Sequence, residues 1–179
     1  MDARNYLATH MLKSGVGITI RAIRSDDKGK LLEAFKQLDQ SSIYTRFFGF
    51  KKSLSETELE RATNLDFDAT VALVATTGHG EDEVIVGGGR YSRTDTGSQR
   101  SAELAFTVEE DYQGLGIASL LFGHLVRIAR SQGLARLEAD VLAVNQSMLK
   151  VFRRSGLPMY QRAEGDTVHI ALELDPPAQ

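Results

Sequence analysis

The segment running from Ala102 to Ser131 constrains this chain more than any other. A strand-like run, Ala102 to Val108, leads through Glu109, Glu110 and Asp111 into Gln113-Gly114-Leu115-Gly116-Ile117-Ala118. An amphipathic stretch follows, with Ile117, Leu120, Leu121, Leu125, Ile128 and Ala129 at helical spacing and Gly133 as its stop. A strand that turns through glycines into a helix exposes backbone N–H groups with no intrahelical acceptor at the positive end of the helix dipole. Such a loop suits a phosphate, because glycines let the anion approach several amides together. Glycines also occur in tight strand-to-helix turns that bind nothing. The chain has no G-x-x-x-x-G-K-S/T, which argues against a P-loop ATPase. The three strands of a meander precede the glycines, whereas a dinucleotide fingerprint needs them after the first strand with an acidic residue about 20 positions on.

The rest of the chain supplies the frame. Ile18, Ile20 and Ala22 alternate with Thr19 and Arg21 as in a half-buried strand. Ser25, Asp26 and Asp27 then cap a helix carrying Leu31, Leu32, Phe35 and Leu38, and Ser41 to Phe48 reads as a second. Ser55 and Glu58 form a capping box for a third. Ala69 to Ala75, Val84 to Tyr91 and Ala102 to Val108 read as a meander. The glycine run Gly87 to Gly89 marks a bulge or a close approach to the backbone. Leu137 to Val144 is the next strand, Gln146 to Arg154 a short helix, and Leu157 to Arg162 and Val168 to Leu174 a final hairpin. Expected is one mixed α/β domain over residues 16–174, after a lead-in over 1–15 and before a tail over 175–179.

Composition excludes several classes. The 179 residues contain no Cys, hence no disulfide, thiolate nucleophile or Cys-based zinc site. A net charge of −3 argues against a general nucleic-acid binder. No targeting segment is evident, and no run of about 18 apolar residues exists to cross a bilayer. A cytoplasmic protein is expected. His10, His79, His124 and His169 show no ligand spacing, so no metal is expected.

Phe106-Thr107-Val108, the Gln113 to Ala118 loop, and Asn145 placed seven residues before Phe152 and eleven before Gly156 resemble the GNAT superfamily of N-acetyltransferases. Gln113, Gly116 and Ala118 match its Q/R-x-x-G-x-G/A signature. Three stretches, Ile18 to Asp27, Ser42 to Phe48 and Ala102 to Phe106, resemble the catalytic domain of bacterial Pat-type protein lysine acetyltransferases. The resemblance implies a central mixed sheet of about seven strands flanked by about four helices. Two central parallel strands would splay apart to admit the pantetheine arm of acetyl-CoA. By that resemblance Phe106, Thr107 and Val108 bond pantetheine through their backbone. Gln113, Gly114, Leu115, Gly116, Ile117, Ala118 and Ser119 cradle the pyrophosphate, Asn145 lies near the thioester, and Phe152 lies beside the CoA sulfur. Tyr44 and Arg46 would contact the acceptor, against a simpler reading in which Phe47 and Phe48 only pack.

Glu103 matches the strand glutamate that serves such enzymes as general base, and it is in phase with Ala105 and Thr107. A lysine ammonium with a pKa near ~10.4 is almost wholly protonated at neutral pH, so a base must take its proton, and a carboxylate, directly or through a water, can do so. The alternative is a solvent-facing strand glutamate. Glu109 to Asp111 reads as a solvated capping loop or as an attractant for a cationic substrate. Two departures stand out. Leu115 occupies a place where many relatives have a basic residue, and Phe152 one where many have a proton-donating Tyr. Pat-type proteins usually carry a further ligase-like or nucleotide-sensing region, for which 179 residues leave no room. The expected activity is acetyl transfer from acetyl-CoA to a primary amine by direct attack in a ternary complex, with a protein lysine as the expected acceptor. The alternatives are a small-amine acetyltransferase and a non-catalytic acyl-CoA-binding module.

Overall fold

The computed structural model describes residues 1–47, 52–94 and 100–174, the side chains of residues 44–47 and 110 excepted. Eight strands form one sheet in the order β1-β2-β3-β4-β5-β6-β8-β7. They are β1 (Leu7–Met11), β2 (Gly17–Ala22), β3 (Thr70–Thr77), β4 (Val84–Thr94), β5 (Ser101–Val108), β6 (Arg136–Leu142), β7 (Met159–Glu164) and β8 (Thr167–Glu173). The described helices are α1 (Lys28–Lys36), α2 (Gln40–Phe47), α3 (Glu56–Thr63), α4 (Ile117–Ser131) and α5 (Gln146–Arg153).

The strand beyond the expected seven is β1, inside what the sequence presents as a lead-in. It pairs antiparallel with β2, Leu7 opposite Arg21 and Met11 opposite Gly17. Its period is inverted: the half-buried positions are Ala8 and His10, while Leu7, Thr9 and Met11 are exposed. Outward apolar residues and an inward histidine conceal a strand from hydrophobic alternation. Ala3 and Leu12, on either side of it, are buried in the core.

The helix α3 begins as its sequence dictates, whereas Ser25 to Asp27 form a short 3-10 turn and the Asp27 side chain does not cap α1. The Ser55 hydroxyl accepts from the Glu58 amide at 3.2 Å while the Glu58 carboxylate accepts from the Ser55 amide at 2.8 Å, closing the capping box. Asp27 accepts from the Arg24 amide at 2.7 Å ahead of α1. It also takes both terminal nitrogens of the buried Arg21 at 2.8 Å, and Glu83 takes the Arg21 Nε at 2.7 Å. This fork pins α1 to the sheet with its charges paired, which a buried guanidinium requires.

β3, β4 and β5 form the expected antiparallel meander, with a bulge beside Ala75 and Thr76 where Val86 is the extra residue. The bulge adjoins the glycine run. Gly89 supplies the close approach: a Cβ there would stand 2.7 Å from the Phe106 ring. The α4 helix buries Ile117, Leu121, Leu125, Ile128 and Ala129 against the sheet. On the same helix His124 is buried. Its Nδ1 meets the Tyr6 hydroxyl at 2.5 Å and its Nε2 the His10 Nε2 at 2.7 Å. Burial, then the positive charges of His10 and Arg127, hold the His124 pKa below the usual histidine value.

The decisive feature lies between β5 and β6. They are parallel and pair only at Ser101–Arg136, Ala102–Leu137 and Glu103–Glu138. Each continues to pair on its other side, β5 with β4 out to Val108 and β6 with β8 out to Leu142. Beyond Glu103 the two strands have parted. That is the splay the sequence led us to expect.

Candidate active site

The splay opens a small cleft of about 90 Å³ through the sheet. Its walls are Glu103 to Phe106 of β5, Ala139 to Val141 of β6, and Asn145, Met148 and Phe152 of α5. The strand period divides β5 between two layers. Leu104 is buried, and Phe106 packs edge-on to Phe122 of α4 with ring centroids 6.1 Å apart and tilted to Phe152 at 6.2 Å. Phe122 and Phe152 complete the cluster at 5.3 Å. Glu103, Ala105 and Thr107 therefore face the layer of α1 and α3.

Glu103 is exposed and belongs to the cleft wall, with Ser92 opposite it on β4 and Glu138 beside it on β6. Both properties suit a base that must meet a proton arriving from solvent, and exposure alone equally suits a surface strand residue. Glu138 stands 3.7 Å from Arg136, which is held more firmly by Glu173 at 2.6 Å. Those ion pairs raise the Arg136 pKa, Glu173 foremost. Asp140, also in the cleft wall, accepts from His169 Nδ1 at 2.8 Å. Neither Glu138 nor Asp140 was singled out in the sequence. Their signal was present, since Arg136, Glu138 and Asp140 alternate with Leu137, Ala139 and Val141 within the run read as a strand.

The glycine loop sits at the open end of β5. Gly114 and Gly116 have φ of 75° and 91°, a left-handed conformation that glycine adopts without strain. Gly116 is the N-cap of α4, and no side chain caps that helix end. Among the described residues, no acceptor outside the helix is recorded for the amides of Gly114 to Ser119. With no acidic residue in the first turn of α4, the positive helix end stays uncompensated. Gln113 plays a different part from its neighbours. Its side-chain amide donates to the Val108 carbonyl at 3.0 Å and to the Ser42 hydroxyl at 3.1 Å, bracing the loop against β5 and α2.

Asn145 caps α5, its Oδ1 accepting from the Met148 amide at 3.2 Å, and thereby fixes the helix that carries Phe152 into the cleft wall. Phe152 is fully buried. Tyr44 and Arg46 lie on α2 at positions whose side chains fall outside the described residues. Thr107 and Val108 continue β5 beyond the cleft wall, and Thr107 lines the larger cavity on the α1 and α3 side of the sheet. Among the described residues no three His, Asp or Glu side chains gather as a metal site, and no helix is long and apolar enough to cross a membrane.

Comparison with known proteins agrees with this geometry. The model of the acetyltransferase (GNAT) family matches residues 38–157. An acetyltransferase of Pseudomonas aeruginosa is 29% identical over 137 residues, 76% of this chain and 73% of that protein. The acetyltransferase Pat of Mycolicibacterium smegmatis is 30% identical over 145 residues, 81% of this chain but 42% of Pat. The crystal structure of the GNAT domain of S. lividans Pat superposes with a TM-score of 0.84 at 32% identity, covering 93% of this chain and 96% of that domain. At 19% identity, a Salmonella typhimurium acetyltransferase with its cofactor acetyl-CoA shares the fold, with a TM-score of 0.71 over 90% of this chain and 96% of its own. The chain belongs to the GNAT family of acetyltransferases.

Proposed function

We propose that this protein moves the acetyl group of acetyl-CoA to a primary amine, with a protein lysine ε-amine as acceptor. The observation that carries the reading is the parting of β5 and β6 immediately beyond Glu103. It puts a carboxylate, two unpaired strand edges and an aromatic wall around one opening, with a glycine-built helix start at its end. The unbonded amides of Gly114 to Ser119 suit a pyrophosphate. The free edge of Phe106 to Val108 suits the amides of a pantetheine arm.

In this scheme Glu103, directly or through a water, takes a proton from the acceptor ammonium. The neutral nitrogen attacks the thioester carbonyl carbon, the carbon–sulfur bond breaks, and CoA leaves as a thiolate. Phe152 has no proton to give, so a water relays to the thiolate the second proton, which the nitrogen sheds as the amide forms. The chain has no Cys, which leaves direct attack rather than a cysteinyl acetyl-enzyme. The lysine reading is supported by likeness to the S. lividans Pat domain and by the exposure of Glu103, which a side chain on another protein can reach. We also infer a cytoplasmic site of action, where acetyl-CoA is made and a Cys-free chain is at home.

Purified protein with acetyl-CoA, offered a protein panel and an amine panel and read by released CoA thiol, tests the proposal. Protein-dependent thiol release that vanishes in Glu103→Gln is expected. Release with small amines alone would move the acceptor to that class, and none with either would reduce the protein to a binding module.

A further inference from the structure

A chamber of about 370 Å³ lies on the other side of β5 from the aromatic cluster, between the sheet and the helices α1 and α3. Leu31 and Phe35 roof it, and Val74, Gly88 and Ala105 floor it. Gly88 leaves that floor bare, because a Cβ there would meet only the Leu73 carbonyl oxygen, at 3.6 Å. The volume falls within the range of small-molecule sites and is several times what a lysine side chain fills.

Four charged side chains line the chamber. Glu58 is engaged by the Ser55 amide in the α3 capping box, and Glu109 also has its own partner. Arg61 and Arg90 differ. Both are exposed and, among the described residues, neither makes a hydrogen bond or an ion pair. An arginine is charged throughout the physiological range and offers its fork of donors to a carboxylate. The charged side chains of the chamber that have no partner among the described residues are therefore both cationic, while its interior is apolar.

We propose that this chamber is a binding site for a small amphipathic carboxylate, with its apolar body between α1 and the Gly88 floor and its carboxylate on Arg90 and Arg61. Ala105 lines both this chamber and the β5–β6 cleft. A ligand seated here thus abuts the place of acetyl transfer, as the body of an acceptor or as a modulator of it.

Binding can be read without acetyl-CoA, so this inference stands or falls separately from the transferase reading. Isothermal titration with phenylacetate and with hexanoate is expected to show saturable binding. Neutral phenylacetamide should bind at least 10-fold more weakly, and Arg90→Gln should weaken phenylacetate by a similar factor. Gly88→Leu fills the chamber without touching its charges and should abolish binding while the thermal transition stays cooperative. Two further arms separate the sources: thiol release from acetyl-CoA with L-phenylalanine marks an acceptor, and altered turnover of another amine by phenylacetate marks a modulator. Absence of binding by both carboxylates, or equal binding by wild type, Arg90→Gln and Gly88→Leu, overturns the proposal.

Discussion

Gly89 and Phe106 face each other across β4 and β5, and the phenyl ring lies over the glycine so closely that no side chain fits beneath it. A Cβ at residue 89 would stand 2.7 Å from two ring carbons of Phe106 and 3.1 Å from Leu125 Cδ1. The ring is itself a wall of the β5–β6 cleft, in contact with Phe152. Gly89→Ala should therefore drive the ring toward the cleft. Overpacking of this kind costs about 1–3 kcal/mol. We expect a lower urea midpoint together with a raised KM for acetyl-CoA. Gly88→Ala, whose new methyl meets only an ordinary contact, should do neither, and equal effects of the two would remove the Phe106 argument.

At Gly116 the constraint is in the backbone. No atom lies within 4 Å of a Cβ built there, so crowding is absent, but φ is 91°. A β-branched residue resists that conformation at a cost of roughly 1–3 kcal/mol. Gly116→Val should reshape the loop and weaken CoA binding by 10-fold or more, as about 1.4 kcal/mol implies. Leu115→Ala removes an outward side chain and should leave CoA affinity within about twofold, the scale of an ordinary surface substitution. Titration calorimetry with CoA decides, and unchanged affinity in a folded Val variant would place the pyrophosphate elsewhere.

Glu103→Gln keeps size and hydrogen bonding while removing the basic carboxylate. Turnover at pH 7 should fall by about 10²–10⁴-fold with CoA affinity nearly unchanged. Raising the pH should recover part of the loss, since more acceptor is then already neutral. A residue that only positions substrate would show no such recovery. Wild-type turnover at pH 7, with chemistry shown to limit the rate, would take Glu103 out of the mechanism.

Two groups give the stability a pH dependence with a definite sign. Glu83, bonded to Arg21 and Lys30, has its pKa lowered to about 2 from 4.5 in spite of partial burial, Arg21 being the main cause. The native state holds its carboxylate charged more strongly than the unfolded chain does. That contribution is complete above pH 4.5 and is lost as the pH falls toward 2. His124, lowered from 6.5 by burial, takes up a proton less readily when folded, so stability declines as the pH drops below 6.5 and the unfolded chain takes up the proton first. Thermal midpoints across pH 2–8 should show both steps. Glu83→Gln should flatten the acid one and His124→Gln the one nearer neutrality. A profile unchanged by either substitution would refute the assignment.

What could be read from the sequence was local or carried by family resemblance. The Gln113 to Ala118 loop and the alternation around Glu103 are contained in a few consecutive residues, and in the structure Glu103, Phe106, Asn145 and Phe152 line one cleft. Missing was whatever depends on register between distant strands. Glu138 and Asp140 reach the opening only because β6 runs parallel to β5, thirty-odd residues later in the chain. β1 escaped because its inward residues are Ala8 and His10, the latter satisfied by His124 on a helix more than a hundred positions away. The chamber over Gly88 was equally invisible, since its roof comes from α1 and its floor from three strands.

A sheet ordinarily has two edges, one at each end, and both are hazards because their unpaired amides invite a foreign strand. This sheet has a third, folded into its middle. From Leu104 to Val108 and from Ala139 to Leu142, β5 and β6 present bare backbone to each other across a wedge that narrows to the Glu103–Glu138 pair. The rings of Phe106 and Phe152 line the cleft beside that interior edge. Filling the wedge would supply the hydrogen bonds the fold leaves unmade. Amide hydrogen exchange should then slow in the outer halves of β5 and β6 on saturation with CoA, while β1 and β7, the ordinary edges, keep their rates.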